Sequence, residues 1–394
     1  MHARALYDPV FQAKLAVAAR TAGPDTVAFC ERCHSPLGNM LGDPNGTTHI
    51  EAAEGVTCMF CHQVVGDTGA HGNTSQLVVT DLTRRAQIEK PVAPHPAMLS
   101  SFSRTSAFCG ACHEVVNASG LRIDSTYSEW AGSSYAKNGV QCQDCHMSAV
   151  PGVPGPSTQR AAPFGPPRPG MYQMSFVGAN VGQGPADASR AMLRSAATVR
   201  IDMPEVIAPG RTASATVTIT NTGAGHDLPT GLTEERQMWL EVFSEDIDGT
   251  STKLGEVRFG TVFQDALGRH PAEIWDATSI YSDRRIPPGG SATSVYSFKM
   301  PADAQQETVV AALYYRSLSD ALAADAQVPN PTTTMAEATQ TIYASTELRD
   351  ALKIETTGSG QAPSANIWTL LSFALLFGAA TGAVSIGIVT VQKL

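Results

Sequence analysis

The stretch CERCH at residues 30–34 recurs as CMFCH (58–62), CGACH (109–113) and CQDCH (142–146). Two thiols three positions apart are spaced to form thioethers with both vinyl groups of one haem, and the histidine that follows is placed to bind the iron from the proximal face. The pattern predicts four covalently bound haem c groups. The attachment residues are Cys30, Cys33, Cys58, Cys61, Cys109, Cys112, Cys142 and Cys145, and the proximal ligands are His34, His62, His113 and His146.

Other chemistry of paired cysteines fits the motifs less well. Zinc sites also use Cys-x-x-Cys elements, but zinc does not require a histidine directly after every second cysteine. A thioredoxin-like redox pair occurs once in a chain, not four times. A disulfide framework does not explain the spacing either, because the four motifs account for all eight cysteines.

The composition places limits on the class of protein. The chain has 394 residues, 43% of them hydrophobic, which is enough for two or three domains with buried cores. Its formal net charge is −9 and it contains no basic run, so we expect no nucleic-acid partner.

The sequence divides into segments of different character. The first segment contains every cysteine and shows little regular periodicity, so we expect a mostly irregular and α-helical domain. Period-two runs such as RTASATVTITN (211–221) and QMWLEVFSED (237–246) predict an immunoglobulin-like antiparallel β-sandwich, with an unrelated barrel as the alternative. The predicted order is a tetrahaem domain (1–150), a Pro/Gly-rich linker (151–190), the β-sandwich (191–330), a tether (331–366) and a transmembrane helix (367–391).

The predicted membrane helix, IWTLLSFALLFGAATGAVSIGIVTV, has no charged residue and is long enough to cross a bilayer. Lys393 is expected on the cytoplasmic side, and a Gly-xxx-Gly step at Gly378 and Gly382 suggests a subunit of a larger membrane complex. Covalent haem attachment takes place outside the cytoplasm, so we expect the haem and β domains on the extracytoplasmic side. No export signal is visible at residue 1, and we therefore expect that the numbering begins near the mature terminus or that upstream residues are lost.

Six histidines remain for the second axial position of the irons. An iron with histidine on both faces carries electrons, whereas an open face allows chemistry on a small molecule. His95 lies between the second and third motifs and is the leading candidate, followed by His49 and, as an alternative to it, His71. His270 is expected to be an exposed turn residue. Met40 and Met98 are weaker candidates, and Met98 is better explained as packing.

Five runs follow one another in the order HARALYDPVFQAKL, FCERCHSP, EGVTCMFCH, HPAMLSSFSRTSAFCGACHEV and YSEWAGSSYAKNGVQCQDCHM. In these runs the chain resembles multihaem c-type cytochromes related to hydroxylamine oxidoreductase. That group includes tetrahaem electron carriers and subunits of extracellular cytochrome filaments. NTGAGHDLPTG (221–231) is similar to a phrase in β-domains attached to such cytochromes. The resemblance implies that His2, His95 and His226 are distal ligands, and it leaves the fourth ligand open between His49 and His71. The chain departs from the large catalytic members in having four motifs, not eight.

Three functions follow as hypotheses. The first is a membrane-anchored tetrahaem cytochrome that passes electrons between a redox protein donor and an acceptor, with no catalytic residues of its own. The second is a haem enzyme acting on a small nitrogen or sulfur compound at a five-coordinate iron. The third is a subunit of a cytochrome filament. We expect the first, because no substrate motif is visible.

Overall fold

The computed structural model describes residues 2–43, 48–49 and 54–357. The chain up to Ser345 forms one compact unit, and the residues from Thr346 onward belong to a second. Within the described ranges, no helix is long and apolar enough to cross a membrane. The predicted membrane helix at 367–391 lies outside these ranges.

Short helices dominate the first half of the chain, and 3₁₀ turns occur at His2–Arg4 and Phe102–Arg104. The α-helices are α1 (Pro9–Thr21), α2 (Pro24–His34), α3 (Pro36–Leu41), α4 (Cys58–Gln63), α5 (Ser106–Gly110), α6 (Thr126–Gly132), α7 (Ser134–Lys137), α8 (Cys142–His146), α9 (Ala186–Ala196), α10 (Asp320–Asp325) and α11 (Thr346–Thr357).

Strands in the first half are short and paired two by two, whereas those in the second half are long. They are β1 (Val64–Asp67), β2 (Gln76–Val78), β3 (Arg84–Ala86), β4 (Ala97–Leu99), β5 (Val115–Val116), β6 (Arg122–Asp124), β7 (Ser157–Arg160), β8 (Pro167–Met171), β9 (Ala197–Asp202), β10 (Thr212–Asn221), β11 (Gln237–Glu245), β12 (Ser251–Phe259), β13 (Thr261–Asp265), β14 (Ala277–Asp283), β15 (Ser291–Lys299), β16 (Gln306–Arg316) and β17 (Thr333–Tyr343).

Two antiparallel sheets share one apolar core in the second half. One sheet has the order β15-β10-β9 and the other the order β12-β11-β16-β17. Alternate residues of β10 point inward, among them Val217 and Ile219, and they meet Leu240 of β11 and Leu313 of β16 in the core. This alternation is the period-two pattern of the sequence, so the mixed fold class, with a helical first half and a β region, is confirmed in its coarse form.

The boundaries of the predicted linker and tether differ from the structure. The segment 151–190 contains the hairpin β7–β8 and the start of α9, so it is not structureless. The predicted tether at 331–366 begins too early, because β17 pairs along β16 from Thr333 to Tyr343. Small residues such as Ala336 and Ala338 fill this edge strand, and their low bulk hid the strand from the sequence pattern.

Polar contacts join the haem-motif half to the β region. Lys14 of α1 donates to Glu235 and Glu273, both at 2.7 Å. The Asn117 amide donates to the carbonyl oxygens of Ile274 and Ala277 at 2.9 and 2.8 Å. These contacts explain why the chain up to Ser345 is one compact unit although the sequence divides it into separate domains.

Candidate functional site: the Cys-x-x-Cys-His motifs

Each Cys-x-x-Cys-His motif includes a short helix. The first ends α2, the second and fourth begin α4 and α8, and the third begins in α5 and ends in the turn after it. Helical geometry brings residues three positions apart onto one face, so both thiols of a motif face the same side. The starts of α4 and α8 are capped: Thr57 accepts from Phe60 N at 3.0 Å, and Gln141 and Asp144 form a capping box.

The third motif lies at the centre of the group. The neighbouring Cys112 thiol, and then burial, raises the pKa of Cys33, and the Cys142 thiol, and then burial, raises that of Cys109. Burial, and then the neighbouring Cys112, raises the pKa of the Cys61 thiol to about 12. The first, second and fourth motifs therefore all adjoin the third, which the order along the chain does not reveal.

The proximal histidines are oriented by backbone carbonyl groups. The Nδ1 atoms of His62 and His146 lie 2.7 and 2.6 Å from the carbonyl oxygens of Arg85 and Val177. His34 makes the same contact with Ala5 at 3.3 Å. A carbonyl oxygen can only accept a hydrogen bond, so Nδ1 carries the proton and Nε2 keeps its lone pair for a metal.

His226 lies opposite the proximal histidine of the fourth motif. The ring centroids of His146 and His226 are 6.2 Å apart and the ring planes differ by 20°. His226 Nδ1 lies 2.9 Å from the carbonyl oxygen of Asp227, so in the neutral ring Nδ1 carries the proton and Nε2 the lone pair. The β region thus supplies a histidine to a motif of the other half of the chain.

His2 stands in the same relation to the third motif. The ring centroids of His2 and His113 are 6.2 Å apart, with the planes at 78°. Phe176 also packs edge-on against the His2 ring, at 4.7 Å between centroids. The two histidine pairs share one separation although their ring orientations differ.

That separation fits a metal between the rings. Two imidazole nitrogens at about 2.0–2.1 Å from one metal, with each ring centre roughly 1.1 Å further out, put the ring centres about 6.2–6.4 Å apart. Each ring plane contains the bond from its nitrogen to the metal, so any angle between the two planes is compatible with such a site. The residues of the third and fourth motifs therefore fit an iron held between two histidines.

Burial favours the neutral imidazole form of His146, His2 and His34. It lowers the pKa of His146 to about 4, with His226 as the next contribution, and the pKa of His2 to about 4, with His113 as the next. Burial also lowers the pKa of His34. Neutral imidazole is the form that binds iron, so the site is prepared for ligation at neutral pH.

Two glycines of NTGAGHDLPTG lie close to other parts of the chain. A Cβ on Gly223 would lie 1.9 Å from the backbone oxygen of Ser195, and one on Gly225 would lie 3.1 Å from the ring of Tyr135. These glycines let the loop pass closely over the end of α9 and over α7. Protein contacts therefore account for both.

The remaining candidate ligands make other contacts. His95 is exposed, with Nδ1 3.1 Å from the carbonyl oxygen of Pro96. His71 contacts Asp67 at 3.2 Å and the Tyr127 hydroxyl at 3.2 Å. His49 donates its backbone N–H to Asp43 at 2.6 Å.

His34 of the first motif stacks on Phe11, at 3.8 Å between ring centroids. The fourth distal ligand stays a prediction, open between His49 and His71, as does His95. His270 lies on the surface, stacked on Tyr281 at 3.6 Å.

Sequence reasoning missed the residues that hold the distal loop. Glu129 of α6 and Arg285 of the β region meet beside it, and both side chains are nearly buried. The one feature of the sequence pattern that marks Glu129 is its place as an acidic residue in the first turn of α6. In the described part of the chain, no group of three or more His, Cys, Asp or Glu side chains is arranged to hold a metal ion by itself.

Comparison with known proteins gives a match at the level of fold. A penta-haem cytochrome c552 from Thermochromatium tepidum matches with a TM-score of 0.64 and 21% identity, over 87% of this chain and 94% of that one. The CARDB domain of a Pyrococcus furiosus protein matches 37% of the chain with a TM-score of 0.21, too low to support an argument. No family model and no curated protein matches. The chain therefore has the fold of a multihaem c-type cytochrome.

Proposed function

We propose that the protein is a tetrahaem c-type cytochrome that carries electrons between redox partners. The observation that carries the proposal is the two pairs of facing histidines, His2–His113 and His146–His226, each 6.2 Å between ring centroids. Bound haem c supplies one-electron chemistry at its iron. Histidine on both faces favours electron transfer over substrate binding.

The placement of the motifs supports the same function. The third motif adjoins the other three through Cys112 and Cys109, so the attachment sites form one connected group. Backbone carbonyl groups hold the Nδ1–H of His34, His62 and His146, and this keeps each imidazole in one tautomer and one orientation. Fixed ligands reduce the rearrangement that accompanies a change of iron charge.

The cellular arrangement is part of the proposal. The 25-residue uncharged segment at 367–391 anchors the protein in a membrane, and the haem and β regions lie on the extracytoplasmic side, where covalent haem attachment takes place. The donor and the acceptor are redox proteins. The uncharged segment supports the anchor, and the motifs support the side of the membrane.

Haem counting and a spectrum test the proposal. Intact mass of the full chain, matured with haem, is expected to show four added haem groups. A variant with Cys142 and Cys145 changed to alanine serves as the matched control and is expected to show three. The near-infrared magnetic circular dichroism of the oxidised protein is expected to show bis-histidine signals from at least the third and fourth sites. A protein that takes up zinc and no haem would overturn the proposal.

Electron transfer and anchoring need their own measurements. Rapid mixing of the reduced protein with an oxidised monohaem cytochrome c is expected to give oxidation without any small substrate. The full chain is expected to float with lipid vesicles, whereas a variant ending at residue 366 stays in solution. A dominant high-spin haem with turnover of hydroxylamine would instead support the enzyme hypothesis.

A further inference from the structure

The loop that carries His226 is held on its β side by a buried amide. Asn221 Nδ2 donates to the carbonyl oxygens of His226 and Ile286, at 2.9 and 3.0 Å. Leu228 and Ile286 exchange backbone hydrogen bonds at 3.0 and 2.9 Å. The loop is therefore a fixed extension of the sandwich, and its position at the fourth motif depends on how it meets the other half of the chain.

Glu129 of α6 makes the contact between this loop and the haem-motif half of the chain. Its Oε2 accepts from the backbone N–H of Asp227 at 3.1 Å and from the Thr230 hydroxyl at 2.6 Å. The two donors lie on either side of Pro229, so one carboxylate oxygen holds both ends of the turn after His226. The Thr126 hydroxyl, one helical turn before Glu129, adds a contact to the Thr230 hydroxyl at 2.8 Å.

A second contact fixes the other carboxylate oxygen. Glu129 Oε1 forms an ion pair with Arg285 and accepts from the Ser125 hydroxyl at 2.6 Å. The side chains of Glu129 and Arg285 are only 7% and 12% exposed, so water screens this pair little. Arg285 also pairs with Asp283 at 2.7 Å, and this orients the guanidinium group from the β side.

The helix of Glu129 is tied to the fourth motif itself. Trp130 Nε1 donates to the carbonyl oxygen of Val140 at 2.8 Å, two residues before Cys142. Tyr135 lies in α7, between Trp130 and Val140 along the chain, and its hydroxyl donates to the carbonyl oxygen of Thr222 at 3.1 Å. The segment that carries His146 and the loop that carries His226 are thus connected through Glu129 and its helix.

We infer that Glu129 is a positioning residue that holds His226 opposite His146, where both could bind the iron of a haem at the fourth motif. The inference rests on the proposed function, because it assumes a haem at Cys142 and Cys145. Glu129 holds the loop and does not bind the iron. Without its carboxylate, the Asp227 N–H and the Thr230 hydroxyl lose their acceptor, Arg285 keeps its pairs with Asp283 and Asp227 on the β side, and the loop moves away from α6.

The experiment compares Glu129→Ala and Glu129→Gln with the wild type as full-length, haem-loaded proteins. In Glu129→Ala, a fraction of the fourth haem is expected to change from low-spin to high-spin, with the loss of up to one low-spin signal. Added imidazole is expected to restore that signal, because it fills the position left by His226. Glu129→Gln keeps an oxygen acceptor but loses the charge, so a smaller loss is expected.

Matched controls separate the possible failures. Glu241→Gln removes a carboxylate that pairs with exposed Lys253 at 2.8 Å, away from the loop, and no spectral change is expected. If His226→Ala removes a low-spin signal and neither Glu129 variant does, the positioning inference is wrong and the ligand pair stands. If His226→Ala also leaves the spectrum unchanged, the ligand pair itself is wrong.

A variant that does not fold is recognised by its haem content and by thermal unfolding of the sandwich. If Glu129→Ala fails to accumulate, Glu129→Gln and Arg285→Gln decide the question. A high-spin signal that imidazole abolishes in either variant supports the inference. Wild-type spectra in both variants overturn it.

Discussion

The imidazole rings of His146 and His226 lie 6.2 Å apart between centroids and within 20° of parallel, although one belongs to a haem motif and the other to a loop of the β-sandwich. The β region therefore brings a histidine to a haem motif that precedes the linker, and both residues belong to the one compact unit that ends at Ser345.

Replacing His226 tests this relationship directly. His226→Ala is expected to remove one low-spin signal from the oxidised protein, because the fourth iron loses its second histidine. His270→Ala is the matched control: His270 also follows a strand of the β region but lies on the surface against Tyr281. Equal spectra for His226→Ala and the wild type would contradict the ligand role.

Replacing His2 is expected to affect a different haem. His2→Ala removes the ring that faces His113, so one low-spin signal is lost and the signal that depends on His226 remains. The double variant is expected to lose two signals, since the two histidines serve different motifs. Loss of the same signal in both single variants would show that the pairs are wrongly assigned.

The angles between the rings predict two kinds of electron paramagnetic resonance signal. Nearly parallel rings split the iron orbitals strongly and give a rhombic spectrum, whereas nearly perpendicular rings give a signal with a large maximal g value. The His146–His226 site, at 20°, is expected to be rhombic, and the His2–His113 site, at 78°, to be of the second kind. His226→Ala should remove the first signal alone. Removal of the large-g signal instead would contradict the geometry.

The buried carboxyl group of Glu234 is expected to make the stability of the folded protein depend on pH. Both of its carboxylate oxygens are buried without a hydrogen-bond partner in the described structure, and burial raises its pKa to about 7. The folded-state pKa lies above the unfolded one, so the stabilisation from the protonated form is complete below about pH 4.3 and is lost as the pH rises through 7. Glu234→Gln is therefore expected to stabilise the protein by about 1–3 kcal/mol above pH 7.

Thermal unfolding of Glu234→Gln at pH 5 and pH 8 checks this prediction. The gain in melting temperature should be larger at pH 8, where the buried carboxylate of the wild type is charged. Glu235→Gln is the control, because it instead breaks the ion pair with Lys14 and is expected to destabilise the protein. An equal gain for Glu234→Gln at both pH values would show that ionisation is not the cause.

A methyl group at Gly223 is expected to disturb the distal loop. The added Cβ would lie 1.9 Å from the Ser195 oxygen, a backbone atom that cannot turn away, so Gly223→Ala is expected to cost about 1–3 kcal/mol of unfolding free energy. Gly178→Ala is the matched control, since its Cβ would meet nothing within 4 Å and its φ is not positive. Chemical denaturation of the two variants measures the difference, and equal stabilities would contradict the prediction.

The strands of the sandwich with bulky alternating residues were predictable from the sequence. β10 and β11 match the predicted runs at 211–221 and 237–246 to within one residue. β17 was not predicted, because threonine and alanine along Thr333–Tyr343 give little contrast between its two faces. The edge strand β17 forms because it pairs with its neighbour β16. That pairing is not visible in a local sequence pattern.

The sequence by itself determined the chemistry of the site: eight cysteines at a fixed spacing, each pair followed by a histidine, predict where four haems attach. That information is local, because a helix of five residues already brings both thiols to one face. Only the tertiary structure decided which distant histidine faces which motif, His2 with His113 and His226 with His146. Those pairs depend on Glu129, on the Asn221 amide and on the packing of two halves of the chain, contacts that no spacing along the sequence encodes.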